Sequence, residues 1–221
     1  MNRRVGALAV GVLGLLTAPP LNRLSAQHVS VGPQIAFGDY KEVSAELHYR
    51  GTGIAAKASG SWKQFSADVV LSRLTYKPKG GAAVTEFDAS EIDVRLRYYV
   101  TGPVSAELGF VKRKTDPEFE AQSVGAVLVG AHMSYLLGPG VRMGLSGGLL
   151  VGSKFSGGGS AAVPGALQLG LGLTVDALRG RVQATADYGF QRFSRKTDDG
   201  SGAASAPIQQ SLGRLGVAIA F

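Results

Sequence analysis

The stretch Leu212-Gly213-Arg214-Leu215-Gly216-Val217-Ala218-Ile219-Ala220-Phe221 decides the fold. Gly213, Leu215, Val217, Ile219 and Phe221 fall on one face at period two, and Leu212, Arg214, Gly216, Ala218 and Ala220 fall on the other. A strand with one oily face and one small or polar face suits a wall with hydrocarbon on one side and a barrel interior on the other.

Working outward, the clearest partner segments are Leu167–Val175 and Val182–Phe190, joined tightly at Arg179-Gly180. Leu167, Leu169, Leu171, Leu173 and Val175 share one face, which needs a dry partner that the short chain cannot supply as a second layer. Segments led by Phe65, Ile92, Val104 and Val141 alternate in the same way, whereas residues 122–137 are apolar on both faces and orient poorly. Short breaks at Thr101-Gly102-Pro103, Gly138-Pro139-Gly140 and Arg179-Gly180 alternate with longer ones at 77–87, 112–121, 153–163 and 194–206. That rhythm predicts eight strands between Phe65 and Phe221. Upstream, residues 28–37, 43–50 and 54–62 all alternate, which would make eleven strands; Val29 to Tyr49 keeps its apolar residues on odd positions, and two strands before Phe65, giving an even total, are expected. Gly51-Thr52-Gly53 is either a bulge or the turn between them.

With its C-terminal aromatic, Phe221, the chain resembles the integral outer-membrane β-barrel proteins of diderm (Gram-negative) bacteria. The resemblance implies an all-β fold: a single closed antiparallel transmembrane β-barrel of about ten strands, with eight or twelve as alternatives. It implies that Leu215, Val217, Ile219 and Phe221 form the signal read by the barrel-assembly machinery. It also implies that short turns face the periplasm, that long loops face outward, and that outer-membrane lipid and lipopolysaccharide surround the wall.

Composition agrees with this reading. The chain of 221 residues holds 32 glycines and no cysteine, and no run of 18 apolar residues appears, which disfavours a helical membrane protein. Absence of cysteine excludes a disulfide framework and thiolate metal sites. Residues 1–26 read as a cleaved signal peptide: Arg3 and Arg4 open it, Val5 to Thr17 form its apolar core, and Leu24-Ser25-Ala26 precedes Gln27. Residues 27–221 then form the barrel. Removing the leader leaves 20 basic and 16 acidic residues, too mild and dispersed for a nucleic-acid footprint. A monomer is expected.

The inward faces carry Asp68, Glu91, Asp93, Arg95, Arg97, Glu107, Arg142, Asp176, Asp187 and Arg214. The two signs are nearly balanced, so an ionic network filling a narrow lumen is expected, whereas a selective pore would more often show one sign at a constriction. The preferred function is therefore a non-enzymatic barrel with a structural or interaction role through its surface loops. A narrow passive channel for small solutes is the alternative.

One pattern points to chemistry. His132-Met133-Ser134 places a base and a nucleophile on one strand face and resembles the outer-membrane lipid A deacylases. Those enzymes need an acid from the neighbouring strand, and 140–152 contains neither Asp nor Glu. Val127, Val129, Ala131, Met133 and Tyr135 also make the better lipid face, which leaves His132 and Ser134 inside. No cofactor or metal is expected: His28, His48 and His132 lack ligand spacing, and Gly157-Gly158-Gly159 lacks the rest of a phosphate loop. Asp198-Asp199-Gly200 reads as a solvated turn. Trp62, Phe65, Tyr98, Tyr99 and Tyr135 read as an aromatic girdle near the periplasmic end, and Tyr76, Phe110 and Phe190 as one near the outer end.

Overall fold

The computed structural model describes residues 28–81, 83, 85–116, 119–161, 165–198 and 203–221. The proposed leader and its cleavage site lie outside the described residues, as do Asp199 and Gly200. The strands are β1 (His28–Glu42), β2 (Leu47–Trp62), β3 (Phe65–Gly81), β4 (Phe87–Thr101), β5 (Val104–Asp116), β6 (Val124–Gly138), β7 (Val141–Phe155), β8 (Ser160–Ala161), β9 (Ala166–Ala177), β10 (Val182–Asp198) and β11 (Ala203–Ala220).

Ten long antiparallel strands follow one another around a closed wall. Closure is made by β11 against β1, with Ile219 opposite Val31 and Leu215 opposite Ile35. Backbone bonds between Val29 and Phe221 finish this seam. A closed barrel leaves no unpaired edge, the condition for placing backbone in hydrocarbon. The short β8 occupies the same slot as β9 between β7 and β10, at the end bearing the long loops.

Alternation sends the large apolar side chains outward. Ile35, Phe37, Leu71, Leu96, Leu108, Val129, Leu149, Leu169 and Leu215 are all exposed on the outer wall. Water would penalise so continuous an apolar belt, whereas lipid would not. Phe65 and Tyr98 pack with ring centroids 5.2 Å apart near the short-turn end, and Trp62 stands beside Lys63.

Three local expectations are corrected. The turn between the first two strands is at 43–46, so Gly51-Thr52-Gly53 lies inside β2, paired on both sides. The register irregularity falls at His48/Tyr49 instead. Odd positions therefore face outward in β1 and inward in β2, and Tyr49 is interior. Gly38 and Gly51 are cross-strand partners, and the Tyr76 ring lies where either would carry a Cβ. Tyr76 is consequently an interior residue, 1% exposed, and no part of an outer girdle. Tyr99 likewise lines the lumen.

The strands also run further than turn composition suggests: β3 reaches Gly81, β5 Asp116, β7 Phe155 and β10 Asp198. On β7, Gly152 at φ +64° carries an extra residue relative to β6, where Gly125 pairs with Lys154 but Val127 with Val151. This bulge resets the alternation, so Leu150 and Phe155 both face inward. The ambiguous segment 122–137 resolves against it: Val124, Ala126 and Leu128 turn in, and Val127 and Val129 turn out.

Candidate functional site: the barrel interior

The small face of each strand becomes the lumen, and its side chains form layers. At the short-turn end Arg142 Nη2 lies 3.0 Å from Asp176 Oδ1. Gln183 Nε2 donates to the same oxygen at 2.9 Å and lies 3.1 Å from His28 Nε2. Above this, Lys57 Nζ lies 3.0 Å from both oxygens of Asp187, which also accepts from Gln34 Nε2 at 3.1 Å. These groups border a polar cavity of about 280 Å³ that reaches up to Asp68, Arg95, Arg97 and Arg214.

The middle of the barrel holds a denser network on three adjacent strands. Arg97 reaches Asp68 on β3 and Glu107 Oε2 on β5, the latter at 2.6 Å. Arg95 bonds Asp93 on its own strand and Glu107 Oε1 at 2.9 Å. Each guanidinium thus meets two carboxylates, and Glu107 is shared by both. Such charge-assisted contacts satisfy groups that burial would otherwise leave costly.

One layer higher, Arg214 Nη2 on β11 lies 3.2 Å from Glu91 Oε1 on β4, and its Nε donates to Ser72 Oγ at 3.2 Å. Gln210 Nε2 reaches the other Glu91 oxygen and the Tyr76 hydroxyl, each at 3.3 Å. All ten charged residues named from the sequence as interior thus sit in ion pairs. The structure adds two cations that alternation around polar residues could have flagged. One is Lys57, and the other is Arg113, 2% exposed. The Arg113 guanidinium lies 5.3 Å from the Tyr40 ring, and its nitrogens have no hydrogen-bond partner among the described residues.

Above the ions the lumen turns apolar. Phe87 packs on Tyr40, Tyr49, Tyr76 and Phe119 with centroid distances of 5.6, 5.0, 5.0 and 4.4 Å. Leu74, Leu128, Leu150, Phe193 and Ile208 complete this buried layer. A lid closes over it. Arg195 donates to the carbonyls of Gly157 and Gly158 at 3.0 and 2.7 Å, to Gln122 Oε1 at 2.8 Å, and stacks over Phe155. The triple glycine is therefore a lid segment.

His132 and Ser134 face the lumen near the polar cavity. His132 Nδ1 lies 3.5 Å from Ser105 Oγ, and no carboxylate bonds the ring among the described residues. The register places Ser105 and Ser146 on either side of His132 and Gly144 beside Ser134. No group of three His, Cys, Asp or Glu residues able to hold a metal ion occurs among the described residues.

No family model and no curated relative matches the chain. Similarity appears among solved structures. The outer membrane protease OmpT from Escherichia coli superposes with a TM-score of 0.51 at 9% identity, over 90% of this chain and 98% of that one. The outer membrane protein OprG from Pseudomonas aeruginosa gives 0.41 at 10% identity, over 92% and 99%. The translocator domain of autotransporter NalP from Neisseria meningitidis gives 0.42 at 14% identity, over 96% and 94%. Closed, antiparallel, apolar outside and ionic within, the chain has the fold of the Gram-negative outer-membrane β-barrel proteins.

Proposed function

We propose that this protein is a non-conducting, non-enzymatic barrel of the outer membrane that works through its wall and its outer rim. Residues 1–26 would direct export and be removed, and the barrel-assembly machinery would insert the chain as a monomer. The short turns then face the periplasm and the long loops face outward. The observation carrying this reading is the sequence of interior layers. Paired ions cross the middle, where Arg95, Arg97 and Arg214 also border the polar cavity, and the aromatic layer around Phe87 with the Arg195 lid lies beyond them toward the long loops. Solute crossing the barrel would have to displace both.

A narrow passive channel is the second reading, favoured by the polar cavity of about 280 Å³ that runs from the short-turn end to the middle ions. Conductance of purified protein in a planar bilayer separates the two. The closed barrel predicts no steady current, and stable single-channel steps would replace it with the channel. The hydrolase reading has less support, because Ser105 rather than a carboxylate stands at His132. Nothing in the interior favours nucleic acid as a partner.

A further inference from the structure

The polar cavity is lined by two kinds of group, those already paired and those not. Every lysine and arginine on its lining has a carboxylate: Lys57 has Asp187, Arg95 has Asp93, and Arg97 has Asp68. Arg142 has Asp176, and Arg214 has Glu91. The hydroxyls between these ions are uncommitted. Ser61, Ser134, Ser146, Thr174 and Tyr99 all line the cavity, and none of their hydroxyls bonds a described residue.

Buried acceptors on the same lining point the same way. Gln34 is 3% exposed and Gln168 6%, and the Oε1 atom of each has no hydrogen-bond partner among the described residues. The Ser66 hydroxyl is in the same position. Gln34 Nε2 donates to Thr185 Oγ1 and to Asp187 Oδ2, each at 3.1 Å, which fixes the amide and leaves its oxygen as the free end. A buried acceptor without a donor is costly, so these oxygens favour an occupant that brings donors of its own.

Glycines on β7 and β9 make the room. His132 Nε2, Ser146 Oγ and Asp187 Oδ1 crowd the places where Gly144, Gly170 and Gly172 would carry a Cβ. Without those Cβ atoms the three side chains lie back against the wall, and about 280 Å³ of the lumen stays open. The cavity runs from His28, Ser61 and Arg142 at the short-turn rim to Arg95 and Gln168 in the middle. Its volume falls at the small end of ligand cavities, which span about 300–1,000 Å³.

We propose that this cavity binds a small neutral polyol, of monosaccharide size, that enters from the short-turn end. Its hydroxyls donate to the free oxygens of Gln34 and Gln168 and exchange hydrogen bonds with Ser134, Ser146 and Thr174. A hydroxyl both donates and accepts, so ligand and lining match in kind. A charged ligand would have to break one of the existing ion pairs or lie unpaired beside it, and either is costly in an enclosed site. The side of entry rests on the outer-membrane reading above, but the site stands whether or not the lumen conducts.

The test is saturation-transfer-difference NMR with calorimetric titration on the purified barrel in phosphatidylcholine nanodiscs. The probes are D-glucose and myo-inositol, with glucose 6-phosphate and glucosamine as charged counterparts. The expected result is saturable binding of a neutral polyol at one per chain, with both charged sugars weaker. Ser134→Ala/Ser146→Ala should weaken that binding about tenfold, as the loss of two neutral hydrogen bonds implies. Lys112→Gln on the outward wall leaves it unchanged. Retained heat-modifiable gel mobility certifies the fold, and Thr174→Val replaces the double variant if that one fails to assemble. No saturable signal from either polyol would overturn the proposal, because the cavity would then hold water alone. Equal or tighter binding of a charged sugar would overturn it as well, and so would wild-type binding by the serine variant. Current through a planar bilayer bears on the closed-barrel reading alone, and the titration does not measure it.

Discussion

Arg214 on the last strand and Glu91 on the fourth, 123 residues apart, meet in the lumen at 3.2 Å. Glu91 is 4% exposed, and its second oxygen is held by Gln210. Arg214→Ala should leave that carboxylate buried beside a neutral amide. Breaking such a pair costs on the order of 3–5 kcal/mol. A matching fall in the urea midpoint of the barrel in lipid vesicles is expected. Arg214→Ala/Glu91→Gln should recover part of it, and no recovery would mean that the two residues act separately.

Arg97 and Lys57 offer a graded comparison within one lumen. Both cations line the polar cavity, but Arg97 bridges Asp68 and the fully enclosed Glu107, whereas Lys57 joins only the more exposed Asp187. Arg97→Ala should cost about 3 kcal/mol or more. Lys57→Ala should cost about 1 kcal/mol, because water can take over from the missing ammonium. Equal midpoints for the two variants would mean that the middle layer is hydrated throughout.

Phe87 touches four other rings and stands at the centre of the outer apolar layer. Phe87→Ala should destabilise the barrel by about 3–5 kcal/mol through lost contacts and a residual cavity. Adding Tyr49→Ala to it tests closure. If current through a planar bilayer first appears in Phe87→Ala/Tyr49→Ala and is absent from the wild type, the aromatic layer is the barrier. Conductance already present in the wild type contradicts that assignment.

Gly51 and Tyr76 share one space: a Cβ on Gly51 would lie 2.7 Å from Tyr76 Cε1. Gly51→Val should cost about 1–3 kcal/mol through overpacking. Tyr76→Ala should relieve much of that penalty in the double variant, giving a coupling of about 1 kcal/mol or more. Strict additivity of the two substitutions would show that Gly51 is needed for another reason.

Phe221 is 79% exposed on the outer wall, and its backbone N–H donates to Val29 O at 2.8 Å. Deleting it should impair membrane assembly while leaving synthesis and export intact, because the closing seam loses its last pairing. The measurement is heat-modifiable mobility together with accumulation of protein in the periplasm. Wild-type assembly of the deletion would show that Leu215, Val217 and Ile219 suffice as the signal.

The sequence by itself determined the wall. Period-two alternation is a local property, because successive side chains of any strand point to opposite sides. Leu215, Val217, Ile219 and Phe221, like Leu167 to Val175, therefore announced an outward face without knowledge of their neighbours, and the eight strands from Phe65 onward followed from the breaks between such runs. Tertiary structure decided what depends on register. Tyr76 moved from an expected outer girdle to the interior because Gly38 and Gly51, on two other strands, leave room for its ring. The odd-numbered pattern from Val29 to Tyr49 concealed a change of face, since a turn at 43–46 reverses inward and outward without disturbing the spacing. Ser134, Ser146 and Thr174 came to line one cavity only through the pairing of β6 with β7 and of β7 with β9. Hydrogen bonds between strands set such alignments, and a sequence encodes them only through the packing of all its strands together.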